Sequence, residues 1–125
     1  MATTTATKTG ATIQSSTSNS AGGTTTSSAR DISTTFGGVL TARVTNGGTG
    51  PALPCECRVQ GSHDSGTTWI ELSRAAGGIA NSTAYDLPFE IPAGVMRIRT
   101  SFTGNTSQAV TVEAYFQELT SIATA

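Results

Sequence analysis

The sequence predicts an all-β protein, an antiparallel β-sandwich or jelly roll of about seven or eight strands with an extended N-terminal arm. Apolar and polar residues alternate in short segments, spaced roughly ten residues apart and separated by turn residues, which is typical of such folds. Threonine is abundant and favours strands over helix interiors, and no segment shows the 3.6-residue apolar period of a helix. For a chain of 125 residues, we expect an arm over residues 1–30 and one sandwich domain over residues 31–125.

The clearest element is a hairpin within CECRVQGSHDSGTTWIEL, residues 55–72. Asp64 can accept hydrogen bonds from backbone N–H groups across the turn. Gly66 can adopt the positive φ that other residues reach only with strain. Trp69 begins the return strand, where its large apolar surface is expected to enter the core.

The turn fits the pattern S-x-D-x-G-x-T-W, whose fixed positions are Ser62, Asp64, Gly66, Thr68 and Trp69. It resembles the Asp-box of sialidases and related β-propellers, which implies that these residues stabilise a turn away from any catalytic site. A propeller repeats the box in several blades, and this chain has one copy, so we reject that architecture. The hairpin also resembles those of small β-sandwich structural proteins of tailed-phage virions, of the capsid decoration or cement type.

Strands are predicted over residues 24–32, 36–45, 55–60, 69–73, 84–91, 95–102 and 108–119, with a short first strand over 11–14. Within the strand over residues 24–32, Ala29 and Ile32 are expected to face inward. Pro88 predicts an edge strand or a bulge, because proline cannot donate to a ladder. The two sheets are expected to enclose ten side chains: Leu40, Val44, Val59, Trp69, Leu87, Phe89, Ile98, Phe102, Val112 and Phe116.

Residues 1–30 are dominated by Thr, Ser, Ala and Gly. Such a composition buries too little apolar surface to offset its ordering entropy. We therefore expect this arm to lie across neighbouring subunits, with a strand of its own domain as the alternative.

Charge and hydropathy exclude several partners. The net charge is −1 and no Lys/Arg cluster occurs, which argues against a nucleic-acid surface. No apolar run approaches a membrane span, and the N-terminus lacks the apolar core of a secretory signal. The charged fraction is 12%, about half the usual value, so edge strands have little charge protection against pairing with neighbours.

No set of residues predicts catalysis, a metal site or a cofactor. Cys55 and Cys57 point to one side of a strand, and His63 is the only histidine, which leaves a metal site short of ligands. His63, Asp64 and a nearby serine are adjacent on a tight turn and cannot converge as a triad does. The sequence therefore predicts a non-enzymatic protein without a cofactor.

The hypothesis that fits these features is a virion structural protein made in the host cytoplasm. It would be a homo-oligomeric capsid decoration or cement protein that binds major capsid or other virion proteins, and the alternatives are a tail, neck or fibre component. A second alternative is a carbohydrate-binding module that stacks a glycan on Trp69, Tyr85 or Tyr115. The candidate partner-binding residues are Ile13, Gln14, Arg43, Arg97 and Arg99.

Overall fold

The computed structural model describes residues 4–124, and side chains from residue 5 to residue 121. The described chain is all β, as predicted. The nine strands are β1 (Thr4–Asn19), β2 (Thr25–Thr26), β3 (Arg30–Asp31), β4 (Gly38–Asn46), β5 (Glu56–Ser62), β6 (Ile70–Ala76), β7 (Ala84–Ile91), β8 (Arg97–Thr103) and β9 (Val110–Thr124). Within residues 4–124, no helix is long and apolar enough to cross a membrane.

The strands form two antiparallel sheets. Sheet 1 has the order β1-β9-β4-β7, and sheet 2 has the order β2-β8-β5-β6, with β3 also paired to β8. Because β2 and β3 both pair with β8, they behave as one interrupted strand. Counted in that way, eight strands are ordered 1-8-3-6 and 2-7-4-5, which is the double Greek key of a jelly roll. The predicted fold class is confirmed.

The topology has a simple origin in the β5–β6 hairpin. It is the one connection, within the described residues, that joins consecutive neighbours of the same sheet. Each strand before it pairs with the mirror strand after it: β4 with β7, β2 and β3 with β8, and β1 with β9. The fold is therefore a long hairpin, closed at residues 63–69 and rolled so that its two arms alternate between sheets.

The core lies between the sheets and comes from the period-two alternation of the strands. In β4, for example, Leu40, Ala42 and Val44 are fully buried, while Val39 and Arg43, on the opposite face of the strand, are exposed. Nine of the ten predicted core side chains are buried: Leu40, Val44, Val59, Leu87, Phe89, Ile98, Phe102, Val112 and Phe116.

The tenth, Trp69, is a correction. It precedes β6 and is half-buried, outside the core cluster. Arg99 projects from the outward-facing side of β8. Its guanidinium carbon lies 4.1 Å from the centroid of the Trp69 ring. The ring therefore covers the outside of sheet 2, where an indole can bury apolar surface beside a cation.

The segment over residues 24–32 also differs from its prediction. It forms two separate two-residue strands instead of one continuous strand. Ile32 faces inward as expected, but Ala29 is exposed, and Ser27 is the buried residue between the two strands. Ser27 Oγ accepts from the N–H of Thr100 at 2.9 Å, a side-chain bond that alternation alone does not reveal.

The described part of the expected N-terminal arm is a strand of the protein's own sandwich. β1 pairs with β9 from Thr4↔Thr124 to Asn19↔Val110. Ile13 enters the core and Asn19 is buried, so the strand is anchored at two points. This is the arrangement that the sequence left as the alternative to an arm lying on neighbours, and Met1 to Thr3 lie outside the described residues.

Candidate functional site

The turn between β5 and β6 is built around two side chains. Ser62 Oγ donates to Asp64 Oδ1 at 2.8 Å and accepts from the N–H of Gly66 at 2.8 Å. Asp64 Oδ1 also accepts from the N–H of Thr68 at 2.7 Å. Gly66 has φ +94° and Ser65 has φ +59°, so the turn uses the left-handed region twice in succession.

These bonds change the chemistry of Asp64. The Thr68 backbone N–H, followed by the Thr68 and Ser62 side chains, holds the pKa of the Asp64 carboxyl at about 2. The carboxylate is therefore occupied as a hydrogen-bond acceptor across the turn. Ser62 is likewise engaged in the turn, and His63 is exposed, so the three do not assemble a nucleophile and base.

Cys57 in β5 and Cys55, directly before β5, are both buried and unpaired. Burial, and to a smaller extent the charge of Glu56, raises the pKa of the Cys55 thiol to about 12. Burial, and to a smaller extent the electrostatic effect of Cys55, raises the pKa of the Cys57 thiol to about 12. Thiols of this kind are poor nucleophiles and poor metal ligands at neutral pH. Across the described residues, no group of three His, Cys, Asp or Glu is placed to hold a metal ion.

The five candidate partner-binding residues do not form one surface. Ile13 is only 8% exposed and belongs to the core, so its side chain is not available to a partner. Gln14 is half-buried and donates to the carbonyl of Ser15. Arg43 lies on the outside of sheet 1, whereas Arg97 and Arg99 lie on the outside of sheet 2.

Two of the three arginines, Arg43 and Arg99, already have a partner in their own sheet. Arg43 forms a two-bond pair with Asp86, with Nε–Oδ1 at 2.8 Å. Arg99 donates to Gln60 Oε1 at 2.7 Å and stacks on Trp69. These contacts position the side chains along the sheets and leave part of each cation in solvent.

An open hollow lies on the outer face of sheet 1. It has a volume of about 490 Å³ and is mainly apolar. Its lining residues are Lys8, Phe36, Gly38, Val39, Gln117 and Leu119. Phe36 is 48% exposed and Val39 is 43% exposed, so the outer face carries apolar groups that the core does not use.

Tyr115 is a further exposed aromatic on this face, at 43% exposure, and its hydroxyl donates to Glu113. The other two aromatics considered for glycan stacking are less accessible. The Trp69 ring is covered by Arg99. The Tyr85 ring lies over Gly78, and its hydroxyl accepts from the N–H of Ala80.

A smaller apolar opening lies at the edge of sheet 2. Ile70 and Leu72 of β6 are 51% and 39% exposed, although both point to the same side as the buried Val59. Together with Val95 they line an opening of about 90 Å³. Sequence alternation places Ile70 and Leu72 on an apolar face but cannot show that the opposite sheet stops short of them.

The four sheet edges differ in how they are protected. The β7 edge contains Pro88 between Asp86 and Glu90, and the β6 edge has a bulge and a Glu71–Arg74 ion pair at 3.0 Å. The β2 and β3 edge is only two residues long in each strand. The β1 edge is 16 residues long, has a single charge, Lys8, and is free of bulges from Lys8 to Thr12 although its register shifts on both sides of that segment. Sequence reasoning missed this edge because it placed only residues 11–14 in a strand.

The described chain is a jelly-roll sandwich. Its solvent-exposed surfaces are the outer faces of the two sheets and the four sheet edges. No protein-family model and no curated protein matches the chain. Solved structures do: in the T13 particle of infectious bursal disease virus, a chain matches with a TM-score of 0.61 and 14% identity over 90% of this chain and 31% of that one. T=1 particles derived from the same virus match with a TM-score of 0.61 and 14% identity over 93% and 32%.

A bacterial domain shares the architecture less closely. The K3 cleaved adhesin domain of Lys-gingipain from Porphyromonas gingivalis matches with a TM-score of 0.52 and 15% identity, over 75% of this chain and 62% of that one. At these identities the likeness establishes the fold. The chain spans 31–32% of the length of the virus-particle chains.

Proposed function

We propose that the chain is a structural protein of a virus particle and acts by binding, without catalysis. The observation that carries the proposal is the complete jelly-roll strand order, in a chain that matches part of a virus-particle protein over 90% of its length. Jelly rolls are frequent in viral shells, and they are also used by lectins. The fold is compatible with both roles and does not decide between them, so the proposal has to be argued from the surfaces.

The finer proposal is a capsid decoration or cement protein of a tailed phage. Its support is the single Asp-box-like turn from Ser62 to Trp69, which resembles hairpins of small virion proteins of that group. The outer face of sheet 1 supplies the binding surface, because Phe36, Val39 and Leu119 line an exposed apolar hollow. Exposed apolar patches on a folded chain mark interaction sites. A tail, neck or fibre component with the same fold is the alternative within this class.

Binding to particles tests the proposal directly. Particles assembled without this chain are mixed with the labelled protein, separated by sedimentation and imaged with gold-labelled antibody. We expect co-sedimentation that saturates at a fixed number of copies per particle, with label over the capsid. Label confined to the tail, neck or fibres would favour the alternative, and protein that never co-sediments would refute the virion role.

Two variants on the same face of β4 locate the binding surface. Val39→Asp places a charge in the apolar hollow and is expected to abolish co-sedimentation, because an unpaired carboxylate in an apolar contact is costly. Thr45→Asp places the same charge at the other end of β4 and is the matched control. Equal loss of binding in both variants would show that the hollow is not the contact.

Carbohydrate binding is the second candidate, and one observation favours it. Tyr115 is an exposed aromatic beside the exposed polar side chain of Gln117 on the outer face of sheet 1. An aromatic ring with polar neighbours is the arrangement that stacks on a sugar. A glycan array probed with the wild type and with Tyr115→Ala decides: binding that requires Tyr115 supports this candidate, and absence of binding to every glycan removes it.

A further inference from the structure

Within residues 4–124, the edge of β1 away from β9 has no neighbouring strand, so its outward backbone groups can be assigned to known positions. Leu119 of β9 donates its N–H to Gly37 and accepts at its carbonyl from Phe36, so both its backbone groups point away from β1. Its register partner Lys8 is therefore in a non-hydrogen-bonded pair. The register is unbroken from Lys8 to Thr12, so alternate residues Lys8, Gly10 and Thr12 direct N–H and C=O groups outward.

Pro88 confirms this assignment from the opposite edge of the sheet. Its partner in β4 is Thr41, and proline has no N–H to donate, so this pair is also non-hydrogen-bonded. The backbone groups of Thr41 then point to Tyr115 in β9. Because the backbone groups of Tyr115 point to β4, those of its register partner in β1, Thr12, point outward. Two independent observations therefore give the same set of outward donors and acceptors.

The straight segment of β1 from Lys8 to Thr12 is the least protected stretch among the four sheet edges. Folded proteins protect sheet edges with prolines, charges, bulges or shortness, and β7, β6 and the β2–β3 edge of this chain each show at least one of these. β1 has bulges only beyond its straight segment from Lys8 to Thr12. That segment is long enough for pairing and carries one charge.

Among the described residues, the outer part of β1 has only β9 as a neighbouring strand. Residues 4–7 pair only with residues 121–124 of β9, and every side chain from residue 5 to residue 10 is exposed. A two-stranded antiparallel ribbon is marginally stable in water, and a third strand is what stabilises it. A strand added at the free edge of β1 would supply that support.

A second copy of the chain fits this edge. Antiparallel pairing about a two-fold axis lets identical strands satisfy each other's donors and acceptors, which is the isologous contact of most homodimers. If the axis passes through the Gly10 pair, Lys8 lies opposite Thr12 of the other copy, and the two lysines do not face each other. The net charge of −1 adds little repulsion between copies.

We propose that two copies of the chain associate through β1, in antiparallel register centred on Gly10, to form one continuous eight-stranded sheet. Its strand order is β7-β4-β9-β1 followed by the same strands reversed in the second copy. A two-fold axis perpendicular to the sheet leaves both outer-face hollows on the same side. The inference concerns the chain alone and does not depend on the virion role.

Sedimentation velocity on the purified full chain, over a range of concentrations, is the first test. We expect a concentration-dependent dimer. Gly10→Pro removes the central outward donor of both copies and leaves the β1–β9 ladder intact, as Pro88 does in β7. It is expected to raise the dimer dissociation constant by about 30-fold or more, as expected for two lost hydrogen bonds.

Gly10→Ala is the matched control, because it keeps the N–H. Its added Cβ would meet only the flexible side chain of Gln117, at 3.4 Å, so the dimer should persist. Thr12→Pro is a second edge variant with the same expected effect as Gly10→Pro. Circular dichroism and the thermal midpoint of each variant show whether the monomer remains folded.

Disulfide trapping tests the register. In a Gly10-centred hydrogen-bonded pair the two Cα atoms lie about 5.5 Å apart, within the range that a disulfide spans. Gly10→Cys is therefore expected to form a covalent dimer on mild oxidation, and Ser15→Cys is not. A wild type that stays monomeric at all concentrations overturns the proposal, as does a dimer that Gly10→Pro leaves intact or that Gly10→Cys fails to trap.

Discussion

Asn19 and Asn105 hydrogen-bond to each other through their side-chain amides, with 2.6 Å between Asn19 Nδ2 and Asn105 Oδ1. Asn105 also donates to the Asn19 carbonyl at 3.2 Å and to the Gln108 carbonyl at 2.9 Å. Asn105 is fully buried and Asn19 is 1% exposed. The pair therefore ties the last residue of β1 to the connection between β8 and β9.

Replacing Asn105 with alanine is expected to destabilise the protein by about 1–3 kcal/mol, because buried carbonyl and amide groups lose their partners. Urea unfolding followed by circular dichroism measures the change. Gln108→Ala removes an exposed amide from the same connection and should stay within about 0.5 kcal/mol of the wild type. Equal effects of the two variants would contradict the role given to the buried pair.

The two-bond pair between Arg30 and Glu118 joins β3 of sheet 2 to β9 of sheet 1. Glu118 is 3% exposed, whereas Arg30 is 37% exposed. Arg30→Ala leaves a buried carboxylate without its cation, and we expect a loss of about 1–3 kcal/mol in the free energy of unfolding. This is below the full cost of breaking a buried pair, because solvent reaches Arg30.

The Arg43–Asp86 pair provides the control for this prediction. Both of its side chains are about half exposed, at 48% and 55%, so Arg43→Ala is expected to destabilise the protein much less than Arg30→Ala does. The double variant Arg30→Met with Glu118→Leu should recover most of the stability lost in Arg30→Ala. A double variant that is less stable than Arg30→Ala would show that the pair does more than neutralise a buried charge.

Asp64 makes the stability of the protein depend on acidic pH. The Thr68 N–H lowers its pKa to about 2 in the folded state, against about 3.9 in an unfolded chain. The stabilisation is therefore complete above about pH 4 and is lost as the pH falls toward about 2. Denaturant unfolding at pH 5 and pH 2.5 should show a smaller loss in Asp64→Asn than in the wild type, and identical losses would contradict the assignment.

The buried thiols of Cys55 and Cys57 should be unreactive in the folded protein. Burial raises both pKa values to about 12, so the thiolate fraction at pH 8 is negligible. A thiol-specific chromogenic reagent should detect no thiol in the native protein and two per chain in denaturant. Rapid reaction of either cysteine in the native state would show that β5 opens locally.

The alternation of apolar and polar residues was enough to predict most of the sandwich. The strand over residues 84–91 is observed with the same bounds, and Pro88 is at a sheet edge as expected. Local pattern succeeds for these strands because one face of each is covered by the opposite sheet.

The N-terminal strand could not be predicted in the same way. Residues 4–10 are exposed on both faces where side chains are described, so no alternation is required of them. Their partner, β9, is more than 100 residues away along the chain, and such pairing has no local sequence signal. The composition of this segment permits a strand, but the segment becomes one only because the rest of the jelly roll places β9 beside it.

The position of Trp69 illustrates a second limit. Its size favours the core, but Trp69 lies at the end of the turn, directly before β6. Its partner Arg99 belongs to β8. A cation that reaches across from a strand distant in sequence offers the indole an alternative environment on the outer face. Sequence spacing gives no indication of that contact.

The mirrored pairing of strands about residues 63–69 has a mechanical consequence. Thr4 and Thr124 are register partners, so a pulling force applied between them would act across the ladder and separate one residue pair at a time. Such loading peels strands apart instead of shearing them, and the resistance would be low. The order of rupture would run inward from the β1–β9 pair, and the β5–β6 hairpin would be the last to extend.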